Sequence, residues 1–191
     1  MIFSNGLREY SERVNEALRG TSFDELSKIA GTILAARDNN KWIFLSGNGG
    51  SASTASHFAN DMVKGLSIDG KKRFKAKALC DPTPIMTAIA NDYSYEVVFS
   101  EQLKNYASSG DLLIVFSGSG NSPNVISSAK YAKENGMNVI SLTGRDGGKI
   151  KDLSDLCCIA ATDCMEEIED IHVTWIHALV TVLRASIKEN I

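Results

Sequence analysis

Residues Trp42-Ile-Phe-Leu-Ser46-Gly-Asn-Gly-Gly-Ser51-Ala-Ser53 join a short apolar run to a loop of glycine and serine, and a helical pattern follows the loop. A strand, a glycine-rich turn and a helix in this order form the repeating unit of parallel α/β sheets. The chain contains four more apolar runs, at Lys75 to Cys80, Leu112 to Phe116, Asn138 to Leu142 and Cys157 to Ala161. Because these runs lack polar alternation, they predict strands that are covered on both faces.

The five runs predict an α/β fold, a three-layer α/β/α sandwich around a five-stranded parallel sheet of the flavodoxin-like kind. Helical patterns after the runs suit right-handed crossovers, and they lie at 51–64, 84–90, 95–107, 123–135 and 146–153. Two further helices, at 6–19 and 22–37, precede the sheet. The second opens with Ser22-Phe-Asp-Glu25, a capping box that satisfies the free amide groups of a first helical turn.

The last segment, 164–189, predicts a helix that is apolar over more than one helical stripe. A helix buried this widely has neighbours on several sides, from which we expect self-association through it. The 191 residues contain no linker or low-complexity stretch and suffice for a core without metal or disulfide. We therefore expect one domain over 1–191, with N-terminal helices (1–37), an α/β core (41–162) and a C-terminal interface helix (164–189).

Composition and charge exclude several classes of protein. The net charge is −3, and the basic residues are scattered apart from a short run between Lys71 and Lys77, so we expect no nucleic-acid partner. The four cysteines show no C-x-x-C spacing, which favours a reducing compartment. The N-terminus lacks a signal-peptide pattern, and no apolar run approaches the ~18 residues of a membrane span. We expect a cytoplasmic protein without a membrane partner.

Two loops that follow predicted strands share one chemistry. They are Ser46-Gly-Asn-Gly-Gly-Ser51-Ala-Ser53 and Ser117-Gly-Ser119-Gly-Asn121-Ser122-Pro123. Glycines allow close approach of the backbone, hydroxyls offer donors, and the helix that follows presents free amides, a combination that favours a phosphate. Neither loop matches the Walker A or the dinucleotide-binding pattern. The alternative is a pair of capped βα turns, which explains one such loop more readily than two.

Histidines and carboxylates suggest a metal. His57 and Asp61 are four residues apart on one helix face, and the last helix carries Glu169, Asp170, His172 and His177. Sets of histidine and carboxylate ligands are typical of zinc, although a lone helical histidine is more often structural. Helix geometry separates Glu169 and His177 by about 12 Å, so sharing one ion requires the two side chains to lean together. His172 is equally compatible with a packing or interface role.

Five strings stand in order along the chain: GNGGSASTASHFANDMVKG (47–65), TAIANDYSYEVVFSEQL (87–103), SGSGNSPNV (117–125), SLTGRDGGK (141–149) and IEDIHVTWIH (168–177). Together they resemble the SIS sugar-isomerase fold and, within it, the phosphoheptose isomerases. The resemblance runs from the N-terminal helices to the last helix. It implies an aldose–ketose isomerase that converts sedoheptulose 7-phosphate into D-glycero-D-manno-heptose 7-phosphate, a heptose precursor.

The resemblance also implies roles for individual residues. It assigns the phosphate to Ser51, Ser117, Ser119 and Ser122 and the sugar to Asn48 and Asp92, and the substrate site further includes Gly49, Gly50, Gly118 and Glu169. It assigns a zinc ion to His57, Asp61, Glu169 and His177. Catalysis falls to Asp61 as the base and His177 as the partner acid or base of an enediol proton shift. The family's homotetramers imply a tetramer here.

Three positions depart from the family's pattern. The usual base is a glutamate where this chain has Asp61, a glutamine usual at the metal is Glu169, and a usual arginine is Gly65. Two other readings therefore stand beside the heptose isomerase. One is an isomerase of another sugar phosphate, and the other is a non-catalytic SIS protein that binds a sugar phosphate or a protein partner.

Overall fold

The computed structural model describes residues 3–189. Its α-helices are α1 (Ser4–Arg19), α2 (Phe23–Asp38), α3 (Gly50–Asn60), α4 (Thr83–Asp92), α5 (Ser100–Tyr106), α6 (Pro123–Glu134) and α7 (Met165–Glu189). Its strands are β1 (Trp42–Ser46), β2 (Lys75–Ala78), β3 (Leu112–Ser117), β4 (Asn138–Thr143) and β5 (Leu156–Ile159). Short 3-10 turns cover Tyr95–Val97 and Lys151–Leu153, and a π-helical turn covers Asp61–Gly65. Residues 1–2 and 190–191, the ends of the predicted domain, lie outside the described residues.

The five strands form one parallel sheet in the order β2-β1-β3-β4-β5, so the predicted five-stranded parallel α/β sandwich is confirmed. Successive side chains of a strand point to opposite faces. On β3, Leu112, Ile114 and Phe116 join the core beneath α2, α3 and α7, whereas Leu113 and Val115 join the core beneath α5 and α6. The central strands β1, β3 and β4 are covered on both sides, which is why their sequences read as apolar runs. The edge strands β2 and β5 are half-buried, and β2 alternates lysine with alanine, so the prediction of two covered faces was wrong for β2.

The strand order reverses between β1 and β3, which are neighbours in the sheet. Ligands in open α/β sheets bind beyond the carboxyl ends of the strands at such a switch point. The two serine-glycine loops follow β1 and β3, so both emerge at this place. The topology thus positions them as the two walls of one site.

The helix predicted for 95–107 is a 3-10 turn followed by α5, and the one predicted for 146–153 is a loop that ends in the turn Lys151–Leu153. Gly147 and Gly148 both have positive φ, of 91° and 55°, which interrupts a helix at this point. The predicted cap of α2 is confirmed, because the Ser22 side chain accepts a hydrogen bond from the amide of Glu25.

Helix α7 packs against α1, α2 and α3 of the same chain, which gives it neighbours on several sides, and self-association through it stays a prediction. Polar contacts fasten α1 to it: Arg13 Nε donates to Glu167 at 2.7 Å and the Tyr10 hydroxyl donates to Asp170 at 2.6 Å. None of the helices described here is long and apolar enough to cross a membrane.

Candidate active site

The loops after β1 and β3 face each other across a cavity of about 270 Å³, closed on a third side by the first two turns of α7. Nine of the ten residues predicted to bind substrate line it. The lining residues are Asn48, Gly49, Gly50, Ser51, Phe116, Ser117, Gly118, Ser119, Ser122, Met165 and Glu169. The cavity is called the cleft below.

The first wall of the cleft is the start of α3. Gly49 is its N-cap residue and has φ 55° and ψ −124°, a conformation that essentially only glycine adopts. With no side chain at the cap, the free amides of the first turn are left to an incoming ligand, and the helix dipole favours an anion there. Ser51, in that first turn, is buried against the cleft.

The second wall is the loop from Ser117 to Ser122. Ser117 Oγ accepts a hydrogen bond from the Gly120 amide at 3.2 Å, and Ser119 Oγ accepts one from the Asn121 amide at 3.2 Å. Because each hydroxyl already accepts a bond, its own proton is the group left to donate to a ligand. Two oriented hydroxyl donors beside a helix start are well suited to a phosphate.

Asn48 is held rigidly at the mouth of the cleft. Its amide pairs reciprocally with that of buried Asn124, at 2.9 and 2.8 Å, and its Oδ1 also accepts a bond from the Tyr95 hydroxyl at 2.9 Å. Sequence reasoning missed Asn124 and Tyr95 as supports. Asn124 lies inside the quoted string 117–125, but the pairing crosses 76 residues and has no local signal.

Glu169 reaches into the cleft from α7. Its carboxylate lies directly against Gly50, so that a Cβ atom at Gly50 would overlap it. Glycine at position 50 is thus needed for this approach. The carboxylate stands at the amino end of α3, where the helix dipole favours a negative charge.

A group of potential metal ligands lies further along the same two helices. His57 on α3, Asp61 at the start of the π-helical turn and His177 on α7 place one ligand atom each within 4.8 Å of one another. The two histidine Nε2 atoms are 3.3 Å apart, and His57 Nε2 is 3.6 Å from Asp61 Oδ2. Glu169 is outside this group among the described residues, so its role as a fourth ligand stays a prediction.

The donor set fits zinc. Zinc in catalytic sites takes three protein ligands, commonly two imidazoles and a carboxylate, and leaves a position open. Two nitrogens at about 2.0–2.1 Å from a tetrahedral ion are about 3.3 Å apart, the separation seen between His57 and His177. Both rings are accessible, since His57 and His177 are exposed while Asp61 is half-buried.

The π-helical turn aims Asp61, and sequence reasoning predicted an ordinary helix there. The Leu66 amide donates to the Asp61 carbonyl at 2.8 Å, a bond that spans five residues. Arg184 of α7 holds the other end of the turn, with its guanidinium donating to the Gly65 carbonyl at 3.3–3.4 Å. Single π-turns inside helices are frequent at functional sites.

His172 is separate from this group. It is buried among Phe116 and Trp175, and its Nε2 donates to the Thr143 carbonyl at 3.1 Å. Burial lowers its pKa to about 4, so the ring is neutral at physiological pH. Its Nδ1 has no partner among the described residues. The sequence left a packing role and an interface role open for His172. Its contacts within the chain are those of a packing residue.

Asp92 is the predicted substrate residue that lies away from the cleft. It ends α4, is exposed, and accepts a hydrogen bond from the Asn91 side chain at 2.9 Å. Within this single chain, Asp92 is therefore not a wall of the cleft.

Comparison with known proteins identifies the family to which this fold belongs. A family model described as SIS domain matches residues 8–144, more than half of the chain. The chain therefore belongs to the SIS domain family.

The relatives narrow the family further. The chain is 42% identical over 147 residues to the phosphoheptose isomerase of Helicobacter pylori (strain P12), which covers 77% of this chain and 76% of that protein. It is 40% identical over 160 residues to that of Aliarcobacter butzleri (strain RM4018), covering 84% and 82%. The solved structure of the phosphoheptose isomerase from Neisseria gonorrhoeae superposes with a TM-score of 0.88 at 34% identity, covering 97% of this chain and 100% of that one. Within the SIS domain family, the chain belongs with the phosphoheptose isomerases and is an isomerase.

Proposed function

We propose that this sugar-phosphate isomerase converts sedoheptulose 7-phosphate into D-glycero-D-manno-heptose 7-phosphate for heptose precursor biosynthesis. One observation carries the proposal: α3 and α7 each contribute to both ends of an elongated site. Gly50 and Glu169 belong to the cleft, and His57 and His177 to the metal-ligand group.

The spacing of the two ends suits a seven-carbon chain. Seven residues of α3 separate Gly50 from His57, and eight residues of α7 separate Glu169 from His177, which corresponds to roughly 10–12 Å along the axes. An extended chain advances about 1.2 Å per bond, so the eight bonds from a C7 phosphorus to C1 span roughly 10 Å. A phosphate held in the cleft thus brings C1 and C2 toward His57, Asp61 and His177.

We assign the proton transfers to side chains of that group. Asp61 is the base that takes a proton from the carbon next to the carbonyl and returns it to the neighbouring carbon through an enediol. His177 exchanges a proton with the substrate oxygens. His57, Asp61 and His177 would hold a zinc ion, which polarises substrate oxygens when bound. Asp61 Oδ2 is the oxygen turned toward His57, which leaves its second oxygen for proton transfer.

The remaining residues of the cleft bind the substrate. Ser51, Ser117, Ser119 and Ser122, with the amides at Gly49, Gly50 and Gly118, take the phosphate. Asn48 bonds a sugar hydroxyl, and its three hydrogen bonds with Asn124 and Tyr95 keep it oriented.

A panel of phosphorylated ketoses tests this assignment. Purified protein loaded with zinc is incubated with sedoheptulose 7-phosphate, fructose 6-phosphate and ribulose 5-phosphate, and the products are identified by NMR. The proposal expects the highest kcat/KM for the seven-carbon substrate. Faster conversion of a shorter ketose would overturn the substrate assignment, and the protein would remain an isomerase.

The second candidate, an isomerase of another sugar phosphate, is favoured by Glu169. Its carboxylate adds a negative charge to a cleft whose other lining residues are uncharged serines and glycines with Asn48, Phe116 and Met165. A carboxylate accepts hydrogen bonds and cannot donate them, so it prefers a different pattern of sugar hydroxyls from a neutral amide. Replacement of Glu169 by glutamine separates the candidates, because a change in substrate ranking would follow only if this residue selects the sugar.

We also propose a homotetramer. Four large apolar side chains are between 52% and 76% exposed: Phe3 just before α1, Leu7 on α1, Phe23 on α2 and Val182 on α7. Phe23 and Val182 line an apolar groove between α2 and α7. Contacts with further copies of the chain would cover these side chains. In this tetramer, Asp92 of one subunit would contact the sugar that is bound in the cleft of a neighbouring subunit.

We infer that the isomerase acts in the cytoplasm. Cys80, Cys157, Cys158 and Cys164 are all unpaired in the part of the chain that the structure describes. Free thiols of this number are typical of proteins in a reducing compartment.

A further inference from the structure

The loop after β4, residues 144–149, packs backbone to backbone against the loop from Ser117 to Ser122. This second wall of the cleft is called the serine loop below. It belongs to the string SLTGRDGGK, to which none of the site assignments gives a role. The Gly144 amide donates to the Gly118 carbonyl at 3.2 Å, and the Ile150 amide just beyond the loop donates to the Gly120 carbonyl at 3.0 Å. These bonds attach one loop to the other at both ends.

Glycines make the close approach possible. Gly120 and Gly148 have φ of 63° and 55°, in the left-handed region. A Cβ atom at Gly120 would overlap the Gly147 carbonyl, and one at Gly148 would overlap the Ser119 carbonyl. The backbone of the serine loop therefore packs closely against the backbone of the loop after β4, with no room for a side chain at Gly120 or Gly148.

Asn121 joins the two loops through its side chain. Its Nδ2 donates to the Ser119 carbonyl at 2.8 Å, and its Oδ1 accepts from the Lys149 amide at 3.2 Å. Its own backbone amide donates to Ser119 Oγ at 3.2 Å. One residue thus fixes both the carbonyl and the hydroxyl of Ser119.

This arrangement matters for an anionic ligand. The Ser119 carbonyl is directed toward Gly148 and Asn121, so its negative end is engaged there. Without these contacts the Ser119 peptide is free to rotate, and its rotation moves the Ser119 hydroxyl away from the phosphate. The bond from the Asn121 amide leaves the Ser119 proton as the group to donate.

We propose that Asn121, braced by the Gly144–Lys149 loop, is a positioning residue that presents Ser119 to the substrate phosphate. The inference rests on the proposed function, because it requires that the cleft bind a phosphate. Asn121 acts through Ser119 and makes no contact with reacting atoms, so it affects substrate binding and leaves the chemical step unchanged.

The test is calorimetric binding of inorganic phosphate and of sedoheptulose 7-phosphate to the zinc-loaded protein, together with steady-state kinetics. Asn121→Ala is expected to weaken both affinities and raise KM about 10-fold, with kcat within about twofold. Asn135→Ala is the matched control, since it removes a similar amide-to-carbonyl bond, to Tyr131 at 2.8 Å, from the far end of α6. The control is expected to bind phosphate like the unchanged protein.

A double-mutant cycle identifies the route. If Asn121 acts through Ser119, then Asn121→Ala has less than a twofold effect on phosphate affinity in a Ser119→Ala background. Equal effects in both backgrounds contradict the proposal. Gly148→Ala is an independent variant for the case in which Asn121→Ala does not fold, and it is expected to weaken phosphate binding by displacing the Ser119 carbonyl. Unchanged phosphate affinity in a folded variant of either kind overturns the proposal.

The two hypotheses fail in different ways. If the unchanged protein binds phosphate without turning over the heptose, the proposed function fails, and the ratio of phosphate affinities between variant and unchanged protein still tests Asn121. If it turns over the heptose and Asn121→Ala binds phosphate normally, only the inference fails.

Discussion

His57 and His177 are 120 residues apart in the chain, yet their Nε2 atoms are 3.3 Å apart and their rings meet edge to face at a centroid distance of 4.9 Å. Two imidazole nitrogens this close either share one proton or share a ligand that both can bind. Asp61 completes the group on the same side. The packing of α3 against α7 therefore creates a metal-competent site that neither helix contains alone.

Replacing His177 by alanine should remove the metal. Loss of one of three protein ligands lowers zinc affinity steeply, so we expect the variant to purify with less than about a tenth of the zinc of the unchanged protein. Inductively coupled plasma mass spectrometry measures the ratio of zinc to protein. His172→Gln is the control, because it alters the buried histidine of the same helix and should retain zinc. Full zinc occupancy in His177→Ala would place the metal elsewhere.

Asp61→Asn should abolish most turnover without abolishing binding. A general base contributes about 10²- to 10⁴-fold to the rate, so kcat should fall by that factor. The two loops of the cleft should still bind the phosphate. Because Asp61 is also a proposed zinc ligand, stopped assays with product quantified by NMR give kcat in excess zinc with the zinc content of the variant measured, and calorimetry with inorganic phosphate gives the affinity. A kcat within a few-fold of the original would assign the base to another residue.

Gly50→Ala and Glu169→Ala should be coupled. A Cβ atom at Gly50 would overlap the Glu169 carboxylate, which is the end of a flexible side chain, so Gly50→Ala alone should destabilise the fold by no more than about 1 kcal/mol. In a Glu169→Ala background the same change should cost clearly less, since its partner is gone. Chemical denaturation of the four proteins completes the cycle. Additive costs would show that the two residues do not meet.

His172 should make the fold sensitive to acid. Its pKa is about 4 in the folded chain and about 6.5 ordinarily, so between these values the unfolded chain binds a proton that the folded chain does not. Stability is therefore fully present above about pH 6.5 and falls by up to roughly 3 kcal/mol as the pH drops to 4. His172→Gln should show a smaller drop in melting temperature between pH 7 and pH 4.5. An identical drop in both proteins would refute this source of acid sensitivity.

Leu7→Glu should weaken assembly. Leu7 is 70% exposed on α1, so a charge there costs the isolated subunit little, but burying it between subunits is unfavourable. Light scattering coupled to gel filtration should show a tetramer for the unchanged protein and smaller species for the variant. Arg8→Glu, at the next exposed position of the same helix, controls for added negative charge. A tetramer of undiminished stability in Leu7→Glu would exclude this face of α1 from the interface.

The fold could be predicted from the sequence because its central strands are buried on both faces. The run Leu112 to Phe116 carries no polar position that would confuse it with an amphipathic helix, and it ends, like Trp42 to Leu45, at a turn of glycine and serine. The loops of the cleft could also be predicted from the sequence. Each follows a strand, and the strand order brings the carboxyl ends of β1 and β3 together. The resemblance to a known family then indicated which side chains to examine.

What the sequence did not reveal are contacts that depend on exact geometry. The π-helical turn at Asp61–Gly65 adds one residue to a helical turn, and helical periodicity does not detect it. Asn124 on α6 pairs with Asn48 in the loop after β1, and Asn121 bonds to Ser119 in its own loop and to Lys149 in the loop after β4. A helix was predicted over 146–153, but its positive-φ glycines, Gly147 and Gly148, interrupt the helix and pack against Ser119 and Gly120.

The most direct measurement is conversion of sedoheptulose 7-phosphate by the purified protein in D₂O, followed by NMR, with the metal present, removed by a chelator and restored as zinc. We expect D-glycero-D-manno-heptose 7-phosphate carrying solvent deuterium at C2, formed only when zinc is present and not by Asp61→Asn. Absence of turnover in a zinc-loaded tetramer, or turnover that survives complete removal of the metal, would contradict the proposed isomerase site.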